Sequence, residues 1–148
     1  MTLGTLLQAV GQSYQEKALG SKKQLSLFAP QSTQAIALAQ LISKAKAPVA
    51  VIVASGNQAQ QLSASLMTLI PKLELIEFPS WETLPHERLS PAAQTVGKRL
   101  QALHRLTELK TKVEHPTVVL LSIRAALQPV IGGLEKHPPF VLTRGNDY

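Results

Sequence analysis

The sequence of 148 residues contains no cysteine, a single aspartate and a single tryptophan. The absence of cysteine excludes disulfides and thiolate-bound metal, and it fits a cytoplasmic protein. The aspartate, Asp147, lies in the carboxyl-terminal tail, so no Ser–His–Asp triad is predicted. The histidines are scattered and have no zinc-binding spacing, so we predict no metal site.

Long apolar runs are also missing, because none reaches the ~18 residues that a membrane-spanning helix needs. The amino terminus has neither the basic region nor the small-residue cleavage site of a secretory signal. We therefore expect no membrane partner and a cytoplasmic location. Only 16% of the residues are charged, but the balance is basic, with a net charge of +6. That charge permits nucleic acid as a partner, and an ordinary basic surface is the alternative.

What the chain does contain is a regular alternation of strand-like and helical patterns. The apolar, β-branched run at 49–54 is typical of a central strand in a parallel sheet, covered on both faces. The predicted strands are 24–29, 49–54, 73–78, 117–122 and 139–143, and the predicted helices are 2–18, 33–46, 58–70, about 91–112 and a short one after 122. This alternation predicts an α/β fold with helices on both faces of a parallel sheet. We predict one domain over 1–143, and in 144–148 the start of a connection to a following subdomain.

Ligands bind such folds where the strands end, so the first strand's carboxyl end is a candidate site. The residues there are Pro30, Gln31, Ser32 and Thr33. They lack the glycines and the lysine with which a phosphate-binding loop holds a nucleotide. Ser32 or Thr33 is better explained as the N-terminal cap of the next helix.

Two later strand ends are equally poor in catalytic residue types. Asn57, in the turn after the second strand, is predicted to cap a helix. Ser122 stands where a metal-dependent nucleotidase would have a carboxylate. We therefore expect no nucleotide, no other cofactor and no catalytic residue in this segment, and no ATP hydrolysis by it.

The helix predicted after Pro91 has an apolar stripe and a basic face. The stripe contains Val96, Leu100, Leu103, Leu106 and Leu109. Lys98, Arg99 and Arg105 are candidate contacts to nucleic acid or to another partner. The alternative is a solvated face, because Glu108 interrupts the basic residues and no aromatic side chain lies among them for base stacking.

The most distinctive stretch is 78–106. Its motif residues are Trp81, Glu82, Thr83, Leu84, Pro85, Ser90 and Pro91, followed by Arg99, Leu100, Leu103, Arg105 and Leu106. Ser90 and Pro91 have the residue types of a helix cap and a first helical position. The stretch resembles the N-terminal, excinuclease-B-like region of the bacterial transcription-repair coupling factor, and the resemblance extends over roughly residues 25–143.

The resemblance implies a three-layer subdomain of the RecA or P-loop-helicase type, whose nucleotide motifs have degenerated. It also implies that the DNA-gripping hairpin of the excision nuclease's B subunit is missing after the third strand. A protein of this family is an ATP-driven DNA translocase, with ATP and Mg²⁺ in a motor that lies outside this segment. Its partners are DNA, stalled RNA polymerase, the excision-repair A subunit and other domains of the same chain.

For this segment the resemblance implies a non-catalytic scaffold and docking role. A nucleic-acid-binding module that uses the helix 92–112 and the loop 78–91 is the alternative. The loop itself is predicted to be a rigid closure of the sheet's edge, or else a direct contact to DNA or protein.

Overall fold

The computed structural model describes residues 30–83, 89–109, 113–130 and 132–133. In chain order the elements are α1 (Gln31–Lys44), β1 (Val49–Val53), α2 (Gly56–Leu69), β2 (Glu74–Phe78), α3 (Ala93–Glu108), β3 (Thr117–Ser122) and α4 (Ile123–Leu127). The predicted helix 2–18, the strands 24–29 and 139–143, and the connection 144–148 lie outside the described residues. No helix within the described ranges has the length and apolar character needed to cross a membrane.

The described strands form a parallel sheet in the order β1-β3-β2. Val49 is paired with Val118, and Glu74 with Thr117, so the three strands run in register from the same edge. The predicted α/β class with a parallel sheet is confirmed. The central strand of the described sheet is β3, whereas the sequence had suggested 49–54. Ile52 of β1 is 56% exposed, so the described elements do not cover both faces of that strand at this position.

Helices cover the two faces of the sheet in separate layers. Alternate residues of β3 point to opposite faces, so each face has its own core cluster. The larger core cluster joins α1, α2, β1 and one face of β3, and its buried residues are Ala39, Ile42, Val51, Leu66, Ile70, Val118 and Leu120. The smaller core cluster joins α3, α4 and β2, and its buried residues are Ile76, Phe78, Ala102 and Ala125. Val119 and Leu121 of β3 pack against this second cluster. The result is the three-layer arrangement expected for this pattern.

The starts of the first two helices differ from the prediction. Helix α1 begins at Gln31, with Pro30 in the cap position, so Ser32 and Thr33 lie inside the first turn and neither is the cap. Helix α2 is capped by Ser55, whose Oγ accepts a hydrogen bond from the backbone N–H of Gln58 at 3.2 Å. The predicted Asn57 cap is therefore wrong. A serine followed three residues later by glutamine is a known helix-start signal, and it was present in the sequence.

The long helix also differs from the prediction at both ends and along its buried face. Helix α3 runs from Ala93 to Glu108, later than the Ser90–Pro91 cap and shorter than an end at residue 112. Its fully buried residues are Arg99 and Ala102. Leu100, predicted to lie in the apolar stripe, is 47% exposed. The inner face of α3 is thus one residue out of phase with the prediction at this turn.

Candidate functional site

The residues at the carboxyl end of the sheet line a groove of about 430 Å³. It lies between the start of α2, the segment that follows β2, and the first half of α3. The lining is mostly polar and includes Asn57, Gln60, Ser80, Thr95, Lys98 and Ser122. This is the edge at which parallel α/β folds hold ligands, so it is the candidate functional site.

Arg99 is the most unusual residue beside this edge, because it is charged and only 1% exposed. Its guanidinium carbon lies 4.1 Å from the centre of the Phe78 ring and 4.4 Å from the ring of Trp81. One terminal nitrogen donates a hydrogen bond to the backbone oxygen of Pro79 at 2.6 Å. Stacking on aromatic faces and a bond to a carbonyl are favourable contacts for a guanidinium. Arg99 therefore attaches α3 to the chain that leaves β2.

Burial of Arg99 is incompletely compensated. Its Nε is buried and has no hydrogen-bond partner. Removal from water lowers the pKa of the Arg99 guanidinium below its usual value, although the group stays charged at neutral pH. No carboxylate pairs with it among the described residues. The aromatic rings and the Pro79 carbonyl are thus the main groups that offset its loss of solvation.

The segment 79–83, hereafter the Trp81 segment, is also held from its other side. The backbone N–H of Trp81 donates to the Oε1 atom of Gln128 at 2.7 Å, and Gln128 Nε2 donates to the Trp81 carbonyl at 3.4 Å. A nitrogen of Arg124 donates to the Glu82 carbonyl at 3.4 Å. Arg124 lies in α4, and Gln128 is the first residue after that helix. Because α4 directly follows β3, these bonds connect the Trp81 segment to the end of β3.

Glu82 is the only carboxylate of the predicted motif, and its side chain accepts a hydrogen bond from the hydroxyl of Thr95. That bond is the main cause that lowers the pKa of Glu82 from its usual value of 4.5. The carboxylate is therefore ionised at neutral pH. A general acid would need the opposite shift, so Glu82 is suited to holding the start of α3 and not to proton donation.

The three predicted basic contacts have different surroundings. Lys98 is exposed and lines the groove, and within the described part of the chain it has neither a hydrogen bond nor an ion pair. Arg105 pairs with Glu74 of β2 and, at 2.9 Å, with Glu108 of its own helix. Arg99 is buried, which corrects the expectation of a surface position for it. The structure therefore does not bring the three cations together as one exposed patch.

Comparison with known proteins shows what the chain is related to. No protein-family model matches it. It is 38% identical over 138 residues, 92% of its length, to the transcription-repair-coupling factor of Mycobacterium bovis. It has the same identity over the same length to the transcription-repair-coupling factor of Mycobacterium tuberculosis. This chain is homologous to a segment of the transcription-repair coupling factors. It spans about 11% of the length of these curated relatives.

The polar residues at the starts of α1 and α4 have structural partners. Thr33 Oγ1 donates to the Pro30 carbonyl at 2.9 Å within the first turn of α1. Ser122 Oγ accepts from the backbone N–H of Ala125 at 3.2 Å and so caps α4. The part of the chain that the structure describes contains no group of three or more histidine, aspartate or glutamate side chains placed to hold a metal.

The remaining motif residues divide into described and undescribed positions. Thr83 follows Glu82 in the Trp81 segment and is partly buried, and Ser90 and Pro91 precede the start of α3. Leu84 and Pro85 lie outside the described residues, as do the side chains of Gln31 and Ser32. Pro91 therefore stands in the connection between β2 and α3 and not inside a helix.

Sequence reasoning missed the structural role of Arg99 and did not single out Arg124 or Gln128. A signal for Arg99 was available, because it lies three residues after Val96 and four before Leu103, on the helix face that the apolar stripe defines. Gln128 gave no such signal. Its partner Trp81 is 47 residues earlier in the sequence, and only the parallel pairing of β2 with β3 brings the two together.

Proposed function

We propose that this chain is a non-catalytic subdomain of a coupling factor. In this proposal it serves as a scaffold and docking part of the N-terminal, excinuclease-B-like module. That module recruits the excision-repair A subunit to stalled RNA polymerase. Homology over 92% of the chain supports membership of such a protein.

The observation that supports the non-catalytic part is that the hydroxyl groups at three helix starts have structural roles. The hydroxyls of Thr33, Ser55 and Ser122 are used in turns or helix caps. The Trp81 segment closes the end of β2 through the buried Arg99. Residues used in this way maintain the frame of a nucleotide-binding fold, and the phosphate loop at 30–33 has the composition of a degenerate one.

The longer protein, in this proposal, is an ATP-driven DNA translocase of the cytoplasm. Its motor, with ATP and Mg²⁺, lies outside this segment. DNA, RNA polymerase and the A subunit are partners of the whole protein, and neighbouring domains of the same chain are the direct partners of this subdomain. The Trp81 segment then covers the end of β2, next to the surfaces proposed for docking.

The proposal is tested by nucleotide assays on the purified 148-residue chain. We expect no ATP hydrolysis above a buffer control and no melting shift when Mg²⁺–ATP is added. A Thr33→Ala variant is the matched control, because Thr33 lies at the position of the degenerate loop. Hydrolysis by the parent chain above the buffer control would contradict a non-catalytic role, and its loss in the Thr33→Ala variant would place the activity at the degenerate loop.

The alternative, a nucleic-acid-binding module, rests on Lys98. Of the predicted contacts it alone is exposed and without an ion-pair partner within the described residues, and it faces a polar groove. Each neutralised phosphate contributes a slope of about −0.9 to the logarithmic salt dependence of duplex binding. A single lysine thus predicts weak binding with a shallow salt dependence. Fluorescence anisotropy with duplex and single-stranded DNA, comparing the parent with Lys98→Glu, decides whether this groove contributes.

A further inference from the structure

The Trp81 segment has no regular secondary structure, and side chains from two other elements hold it. From the α3 side, the Arg99 guanidinium stacks on the Trp81 ring and bonds to the Pro79 carbonyl. From the α4 side, Gln128 bonds to both the N–H and the carbonyl of Trp81. Unlike the strand before it, this segment is retained by side-chain contacts and not by a ladder of backbone bonds.

The burial of Arg99 destabilises the closed position of the Trp81 segment. The guanidinium has no carboxylate partner among the described residues, and its Nε has no hydrogen bond. Opening of the segment would return that group to water, and its hydration would offset part of the free energy needed to break the stacking and the hydrogen bonds. Segments with few buried apolar contacts and this kind of compensation open more readily than the core strands of the same protein.

We propose that the Trp81 segment opens and closes while the sheet stays folded, and that Arg99 and Gln128 are the positioning residues that keep it closed. Opening would bring the Trp81 ring, which is partly buried in the closed state, and the buried Arg99 guanidinium to the surface beside Lys98, which is already exposed. In the closed state this pairing of an aromatic ring with two neighbouring cations is therefore only partly accessible. The inference is independent of the proposed function, because it concerns a conformational equilibrium and not nucleotide chemistry.

The test uses the fluorescence of Trp81, which is the only tryptophan in the chain and therefore reports this segment alone. Acrylamide quenching of the native protein measures how often the ring meets solvent. We expect Arg99→Met to raise the quenching constant by about twofold or more and to shift the emission to longer wavelength. Methionine keeps much of the side-chain volume but removes the charge and the bond to Pro79.

Two further variants separate positioning from general stability. Arg105→Met removes a cation from the same helix without touching the Trp81 segment, so we expect unchanged quenching. Arg99→Lys retains the charge and a donor for the Pro79 carbonyl, so its quenching should fall between the parent and Arg99→Met. Far-ultraviolet circular dichroism establishes that each variant is folded.

If Arg99→Met does not fold, Gln128→Ala tests whether the Trp81 segment opens. Gln128→Ala removes both bonds to Trp81 from the opposite side, and we expect it to raise quenching while the helix signal stays native. Equal quenching in the parent and in every folded variant would overturn the proposal. So would a rise in quenching that appears only together with loss of the helix signal, because the segment would then open only when the whole chain unfolds.

Discussion

The two faces of the sheet are stabilised in different ways. On the α1–α2 face the larger core cluster consists of aliphatic side chains such as Leu66 and Val118, both completely buried. On the α3–α4 face the apolar cluster is smaller, and it is extended by Arg99 and by side-chain bonds to the Trp81 segment. Burial of aliphatic surface is non-directional, whereas stacked and hydrogen-bonded groups fix an orientation. The first face therefore has the larger apolar core, and the second sets the closed position of the Trp81 segment at the candidate site.

The largest expected effect comes from removing a side chain of the larger core cluster. Leu66→Ala deletes buried methyl groups and leaves a cavity, so we expect a loss of about 2–5 kcal/mol in the free energy of unfolding. Met67→Ala is the matched control, since the side chain of Met67, the residue after Leu66, is 60% exposed. The control should change stability by no more than about 0.5 kcal/mol. Urea denaturation of the three proteins checks the difference, and similar losses in both variants would contradict the assignment of the core.

A smaller effect is expected from overfilling the smaller core cluster. Ala102, 4% exposed, lies in the same buried cluster as Ile76 and Phe78 of β2. Ala102→Leu forces extra volume between helix and strand, at a cost of about 1–3 kcal/mol. Gln101→Leu adds a similar side chain at an exposed position of the same helix and should be near neutral. An Ala102→Leu protein as stable as the control would show that α3 does not pack closely on β2.

The smallest effect concerns the ion pair between Glu74 and Arg105. The hydrogen bond from Arg105 is the main cause that lowers the pKa of Glu74 below its usual 4.5, with burial acting in the opposite direction. A carboxyl whose pKa is lower in the folded state adds stability above its unfolded pKa. That stability is lost as the pH falls from about 4.5 through the lower folded value.

The urea midpoints of the parent and Glu74→Gln measure this contribution. At neutral pH the parent should be more stable by less than about 1 kcal/mol, because both side chains are partly exposed. The difference should shrink as the pH falls below about 4.5, the pKa of Glu74 in the unfolded chain. A difference that stays constant down to about pH 3 would mean that the carboxylate charge contributes nothing.

The two faces also differ in how far the sequence predicted them. The α/β class, the strand 117–122 and most of the apolar residues of the α1–α2 face follow from local patterns, because periodic burial is encoded every two or every three to four residues. The Arg99 contact joins residues 20 apart and the Gln128 contact residues 47 apart, so no local pattern could reveal either partner. An arginine in a leucine-rich helix is also expected at the surface, since charged residues are rarely fully buried.

Contacts between residues distant in sequence also decide which of the predicted basic residues are accessible. Lys98, Arg99 and Arg105 were grouped as cations of one helix, but a residue's neighbours on other elements decide whether its charge is available. Glu74 of β2 pairs with Arg105, and Phe78 and Trp81 enclose Arg99. Lys98 alone of the three remains exposed without a charged partner within the described residues. Helices α1 and α2 each begin two residues earlier than predicted, because several capping residues compete near each helix start.

Native-state hydrogen exchange tests most directly the claim that the two faces are held differently. The amide of Trp81, bonded to the side chain of Gln128, is compared with the amides of Val118 and Leu120 in the central strand. We predict that the Trp81 amide exchanges at least about tenfold faster and that low denaturant concentrations leave its rate unchanged, because its opening is local. Equal rates with the same denaturant dependence at all three amides would contradict the claim.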